Sequence, residues 1–360
     1  MKVGLLIQNN LWFCPYVKIY TSLFDEWGVN YDLIYWNRDG NHNENTSITY
    51  NKPDSHGKLG KLLGYWNYCQ FLKNTIKEHD YDRLIVFSPQ IGIFMADFLK
   101  QKYHGRYIFD YRDLSIEQYI FLKKSFIRLL GNSYANVISS PGFKRCLPKH
   151  FNYYISHNFI SKNVIRALSH KPINIPDKPI TVLTIGGIRI DANPQIIEAL
   201  GNKADIKLEF VGRGFGSDTL KDIVNKKGFR NISFEGYYDK TDEPGIIEKS
   251  SFLNIYYPNW LSHETAMSNR FYNSLIYRRP MIVTKGQIQG DYCEQYNLGL
   301  AIDDTENLDS KLKVWLENTN LEEYQDNCIR LLNVFLEDDK QFKSMLHRFV
   351  KCSDLTKAYN

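Results

Sequence analysis

The sequence predicts an α/β protein made of two doubly wound, parallel domains. Three observations lead there. The chain has 360 residues, about twice an ordinary single domain. Short apolar, strand-like runs alternate with helical stretches along its whole length. A polar stretch near the middle, residues 169–179 (SHKPINIPDKP), holds three prolines and reads as a linker, because proline ends helices and is excluded from central strands.

In the first half the strand-like runs are Val3–Ile7, Tyr31–Trp36, Arg83–Phe87, Tyr107–Asp110, Asn136–Ser139 and Tyr153–Ser156. Ser88 as N-cap and Pro89 at the first helical position open a helix that stops before Gly105. In the second half the runs are Ile180–Ile185, Lys207–Val211, Ile232–Phe234, Leu253–Tyr257, Met281–Val283 and Leu300–Ile302. Helices are expected from Asn193-Pro194 to near Gly201 and from Ser217 to Gly228. The domains are therefore drawn as 1–168 and 180–340 around a 169–179 linker, with a C-terminal helix over 341–360 packing back on the N-terminal domain. Residues 37–60 form a long polar stretch with no apolar period, expected to be a lid or disordered. Ligands of such sheets bind at the carboxyl ends of the strands, where strand order reverses.

Hydrophobic residues make up 43% and charged residues 24% of the chain, which excludes a disordered or fibrous protein. The apolar start, Val3–Ile7, is too short for a secretion signal, and no run of about 18 apolar residues follows. A cytoplasmic protein is expected, with peripheral contact at the inner face of the membrane as an option. Six scattered cysteines without a CxxC pair suggest neither a zinc site nor a disulfide framework. Net charge is +5 but uneven: residues 1–165 carry 20 basic and 13 acidic residues, the remainder 25 and 27. The basic half would suit an acidic acceptor or an anionic membrane surface. The segment Tyr119–Leu130, with Lys123, Lys124 and Arg128 among bulky apolar residues, reads either as a membrane-lying helix or as a core helix with snorkelling basic stems.

Three segments carry ligand chemistry. In Lys207–Gly216 a strand runs into Gly212-Arg213-Gly214 and then a helix, a setting suited to phosphate. A dinucleotide fingerprint competes here, but Ser217 stands where its third glycine belongs and the motif follows the second strand of its domain. The first strand of that domain ends in Gly186-Gly187 with Arg189 nearby, a cation that could grip a diphosphate. In 267–283 a helix carrying Asn269, Arg270 and Asn273 runs into a proline-led strand. In the first half, Asp110, Arg112 and Asp113 close an apolar strand and are expected at its carboxyl end, and His157 and Asn158 close the last strand of that half.

In this order the segments ITVLTIGGIR, LEFVGRG, NISFEGYY, FLNIYYP and SNRFYNSLIYRRPMIV resemble the donor domain of GT-B glycosyltransferases, especially the family-four type of bacterial polysaccharide synthesis. The resemblance covers about residues 180–300, with a weaker echo in 83–160. It implies two Rossmann-like domains facing across a cleft, and a hexosyl transfer from a nucleoside diphosphate sugar to a saccharide or polyprenyl-linked acceptor, with no other cofactor. From the residue chemistry above, Gly187, Arg189, Gly212, Gly214 and Asn269 are expected to hold the donor; by the resemblance, Arg270 takes the place of the family's lysine and would bind the diphosphate. Tyr238 lies where the base is recognised. Asn273 stands in place of the second glutamate of a Glu-x7-Glu pair, the one that holds the ribose, and Glu264 is the candidate for the first, one residue out of step. Asp113 is the candidate general base, with Arg112 orienting it. No Asp-x-Asp pattern stands in a convincing place, so no essential metal is expected, and no nucleic-acid partner. A nucleotide-sugar epimerase of the same architecture and a non-catalytic nucleotide- or sugar-binding protein remain as alternatives, and retention and inversion both stay open.

Overall fold

The computed structural model describes residues 1–40, 47–53 and 57–352. The chain forms two compact units, one of Met1–Asn158 together with the segment from Asp338 onward, the other of Phe159–Glu337.

The first unit holds seven strands: β1 (Lys2–Ile7), β2 (Asn30–Asn37), β3 (Ile48–Asn51), β4 (Arg83–Phe87), β5 (Tyr107–Tyr111), β6 (Ala135–Ile138) and β7 (Tyr153–Ile155). Their order is β3-β2-β1-β4-β5-β6-β7, with every pairing parallel. The second unit holds β8 (Ile180–Ile185), β9 (Ile206–Val211), β10 (Ile232–Glu235), β11 (Phe252–Ile255), β12 (Met281–Thr284) and β13 (Gly299–Ile302). These order β10-β9-β8-β11-β12-β13, again all parallel. Strand order reverses between β1 and β4 in one sheet and between β8 and β11 in the other, as in a doubly wound fold.

Helices cover both faces, so central strands such as β4, β8 and β12 are buried along their whole length and read as continuous apolar runs. Alternation along the strands splits the first unit's core in two. Leu6, Ile34, Val86 and Phe109 serve one face, and Val3, Leu5, Ile85 and Ile108 the other. The helix Leu321–Lys351 supplies both units: Leu331, Leu332 and Phe335 enter the second unit's core, while Phe342, Met345, Leu346 and Phe349 close the first unit's.

Residues 159–168, drawn above with the first half, give Val164 and Ala167 to the second unit's core. The proline-rich stretch also lies on that unit. Ile175 is buried, Lys171 N donates to Gln325 Oε1 at 3.0 Å, and Ser251 Oγ donates to the Pro176 carbonyl.

Within 37–60, the expected featureless stretch contains β3 and the start of the helix Gly57–His79. Ile48 and Tyr50 pack beside Trp36, whose Nε1 donates to the Lys52 carbonyl at 2.7 Å. An edge strand with one covered face shows too few apolar residues to stand out in sequence. The rest of that expectation, at 41–46 and 54–56, falls outside the described residues.

Ser88 does not cap its helix through its side chain. It sits at φ 82°, and its buried Oγ has no partner. The expected helix over Tyr119–Leu130 begins instead at Lys123 and runs to Asn132, burying Phe126, Leu129 and Leu130.

His157, 4% exposed, bonds Asp338 Oδ2 through Nε2 at 2.9 Å and ties the long helix to β7's end. Burial lowers its pKa, against the upward pull of Asp338. The unfolded chain therefore binds a proton that the folded chain resists, and stability falls as pH drops below about 6.5 toward the lower folded value. Urea midpoints at pH 7.5 and 5.5 should show the loss, with a slope of up to about 1.4 kcal/mol per pH unit from this group. His157→Gln should flatten the profile.

Candidate functional site

At the carboxyl end of β8 the chain turns through Gly186-Gly187. Gly186 has φ 94°, and a Cβ at either position would meet no atom within 4 Å, so this turn faces open space. The glycines after β9 differ. Gly212 has φ 129°, and its Cβ would lie 2.1 Å from the Gly186 carbonyl; that of Gly214 would lie 2.0 Å from the Ile188 carbonyl. Gly212 and Gly214 thus let two backbones lie against each other, and that contact holds the Gly186-Gly187 turn in place. Gly214 does this without reaching the pocket described next.

The helix Asn269–Tyr277 points its N-terminus at the same place, with Ser268 as N-cap. Arg270, 8% exposed, spends three N–H groups on backbone carbonyls: Nε on Ile185 at 2.7 Å, Nη1 on Asn254 at 3.0 Å and Nη2 on Gly187 at 2.8 Å. It therefore clamps the ends of β8 and β11 to the glycine turn.

These elements enclose a pocket of about 260 Å³ lined by Gly186, Gly187, Tyr238, Lys240, Glu243, Tyr257, Ser268, Asn269, Arg270 and Asn273. A neighbouring hollow of about 300 Å³ is lined by Gly186, Gly212, Arg213, Tyr237, Tyr238 and Lys240. Gly186, Tyr238 and Lys240 border both, and the Arg213 guanidinium stands 5.7 Å from the Tyr237 ring centre.

Glu243, which sequence reasoning did not single out, lies 4% exposed at the start of the helix Glu243–Glu248. Its Oε1 accepts from Asn273 Nδ2 at 2.6 Å, and its Oε2 from Tyr238 Oη at 3.0 Å and from Lys240 Nζ. Burial, then the Glu243 charge, pushes the Tyr238 phenol above its ordinary range.

Of the expected donor residues, Gly187, Tyr238, Asn269, Arg270 and Asn273 line the first pocket and Gly212 the second. Arg189 is exposed and paired with Asp191 at 2.7 Å, outside both. Glu264, in the short helix Leu261–Thr265, also lies outside them. His263 stands with Nε2 3.9 Å from Asp191 and its ring against Trp260 and Tyr257.

In the first unit Arg112 does not pair with Asp113. It is 8% exposed and bonds Asp110 Oδ2 at 2.7 Å, the Ser156 carbonyl at 3.0 Å and Ser156 Oγ at 3.1 Å. Tyr20 Oη donates to the same Asp110 oxygen at 2.6 Å. Burial works against the charge on Arg112, but Asp110 outweighs it. Arg112 is thus a structural ion-pair member. Asp113, two residues beyond β5, is exposed and makes no ion pair with Arg112. The protein around its carboxyl raises the pKa, partly offset by Arg112.

Arg278 and Arg279, each 6% exposed, donate to carbonyls where helices end: Arg278 to Leu275 and Ala167, Arg279 to Glu248. Among the described residues no group of three His, Cys, Asp or Glu side chains is placed to hold a metal, and no helix is long and apolar enough to cross a membrane.

No protein-family model and no curated protein matches the sequence. Solved structures match in fold. A sucrose-phosphate synthase from Thermosynechococcus elongatus superposes with TM-score 0.68 at 13% identity, covering 97% of this chain and 99% of that one. The lipopolysaccharide outer core galactosyltransferase WaaB superposes at 0.67 and 12%, covering 96% and 99%. Anabaena HepE in complex with UDP-glucose superposes at 0.64 and 12%, covering 96% and 99%. The chain has the GT-B fold of these glycosyltransferases.

Because Gly212 has no room for a Cβ, Gly212→Ala should lower stability in urea denaturation by about 1–3 kcal/mol. Gly187→Ala, facing open space, should stay within about 0.5 kcal/mol of the parent.

Proposed function

We propose that the chain is a glycosyltransferase of the hexosyl type, moving a sugar from a nucleoside diphosphate sugar to a saccharide or polyprenyl-linked saccharide in cell-surface polysaccharide synthesis. The observation that carries this reading is the pocket at the β8/β11 switch point. It gathers an open glycine turn, a helix N-terminus, a buried guanidinium and a carboxylate network around one cavity. The UDP-glucose complex of Anabaena HepE, which shares the fold, supports a uridine diphosphate sugar as the first donor to try.

The diphosphate would lie against the Gly186-Gly187 turn and the Ser268–Arg270 helix start. Backbone N–H groups there carry positive partial charge. As the bond between the anomeric carbon and the leaving oxygen breaks, negative charge grows on the diphosphate. The N–H groups of Arg270 not taken by carbonyls, together with Lys240, would stabilise that charge. The base would lie toward Tyr237, Tyr238 and Arg213. Glu264, whose carboxylate has no hydrogen bond or ion pair among the described residues, is free to take a donor-sugar hydroxyl.

From the first unit, Asp113 would accept the proton of the attacking hydroxyl, and a raised pKa makes it a stronger base. That role suits inversion, whereas the family-four resemblance suits retention, so the anomeric configuration of the product decides whether Asp113 acts this way. The exposed Tyr119, Ile120 and Phe121 (57%, 86% and 75%), next to exposed Lys123 and Lys124, would touch an anionic membrane where a polyprenyl-linked acceptor stands, which fits a cytoplasmic enzyme working at the inner face.

Thermal shift with UDP-glucose, UDP-galactose and GDP-mannose should show stabilisation by one of them, about 2.7 kcal/mol at a hundred times its dissociation constant. Nucleoside diphosphate release should require an acceptor. Donor conversion without acceptor would indicate an epimerase, and binding without turnover a non-catalytic protein. Asp113→Asn should lower turnover by about a hundredfold or more with donor binding unchanged. Replacing Ile120 and Phe121 by Asp should abolish cosedimentation with phosphatidylglycerol vesicles while leaving transfer to a soluble acceptor intact.

A further inference from the structure

The pocket holds a carboxylate that the sequence motifs do not mark. Glu243 is almost wholly buried, and its three partners, Asn273, Tyr238 and Lys240, all line the same cavity. A buried carboxylate is costly unless its oxygens are satisfied, so its place on a pocket wall calls for a reason. A carboxylate offers about four lone-pair sites, and three are occupied here. Asn273 holds one oxygen from the helix Asn269–Tyr277 and Tyr238 fixes the other. Lys240 is 77% exposed and can swing outward, which frees a second site. With that movement each oxygen can accept one more O–H. Two adjacent acceptors fixed in one plane match a vicinal diol, which presents two O–H donors side by side.

The position along the cavity is as informative as the chemistry. Gly187 and Ser268–Arg270 mark one end, suited to a diphosphate. Gly212, Arg213 and Tyr237 mark the other, in the adjoining hollow, suited to a base. Tyr238 and Lys240 border both spaces and both bond Glu243, so Glu243 faces the middle. The part of a nucleoside diphosphate between base and diphosphate is the ribose.

We infer that Glu243 is the residue that holds the ribose hydroxyls of the donor nucleotide, with Asn273 and Tyr238 as positioning residues that orient its carboxylate. The inference rests on the reading of this pocket as a nucleotide site. It also explains why position 273 is an amide. Asn273 Nδ2 lies 2.6 Å from Glu243 Oε1, so a carboxylate at 273 would set two like charges in contact, whereas the amide donates to the one already there. The charge missing from the helix Asn269–Tyr277 is supplied from the helix Glu243–Glu248.

Isothermal titration of UDP, GDP and their 2′-deoxy forms to the full chain tests this. The parent protein should prefer a ribonucleotide over its deoxy form by about tenfold or more. Glu243→Gln, which keeps size but turns one acceptor into a donor, should reduce that preference to within about twofold, weakening the ribonucleotide more than the deoxy form, which keeps only the 3′ hydroxyl. Asn273→Glu alone should weaken ribonucleotide binding. The double variant Glu243→Gln/Asn273→Glu should recover it, because the single carboxylate is restored across the same contact, and recovery would also exclude misfolding as the cause. If Glu243→Gln keeps the full ribose preference while UDP or GDP still binds, the role of Glu243 is wrong and the nucleotide site stands. If no nucleoside diphosphate binds the parent, the nucleotide reading is overturned and this inference with it.

Discussion

The second unit's pocket depends on one guanidinium. Arg270 joins three backbone carbonyls from two neighbouring strand ends and the turn between strand and helix. In a parallel sheet the strand ends splay where the order reverses, and their carbonyls point into the crevice without partners. Arg270 satisfies three of them at once and fixes the turn against which a ligand would lie. No carboxylate forms an ion pair with it among the described residues, and carbonyl dipoles face its charge directly. Gly212, packed on the Gly186 carbonyl, keeps the turn from shifting.

The first unit solves the same problem with the opposite balance. Arg112 also sits at the end of a central strand and also reaches a neighbouring backbone carbonyl, that of Ser156, but Asp110 neutralises it and Tyr20 shares the carboxylate. A buried pair of this kind adds little net stability over an apolar filling, yet it leaves a severe penalty if one member is lost. What it gives is a charge-paired, rigid floor beneath the end of β5.

Much of this was legible in the sequence, for physical reasons. Central strands such as β4, β8 and β12 announced themselves because a parallel strand covered on both faces is largely apolar. β3 was silent because an edge strand needs only Ile48 and Tyr50 to hold it. Among site residues, the helix carrying Arg270 and Asn273 was visible through its position before a proline-led strand. The pairing of Arg112 was readable and was misassigned: residues two apart on a strand share a face, which puts Asp110, not Asp113, beside it. Glu243 could not be read at all. Nothing local marks it, and only the path of the chain after β10 brings it to a helix 30 residues away.

The long helix Leu321–Lys351 has a consequence for how the protein is made. Phe342, Met345, Leu346 and Phe349 complete a core begun by Val3 and Leu5. A chain emerging from the ribosome therefore exposes one face of its first sheet until the whole of the second unit has been synthesised. The second unit, contiguous in sequence, can close first. Biogenesis would then run against the order of translation, with the earliest strands waiting longest, and chaperone dependence should concentrate on the N-terminal sheet rather than on the second unit.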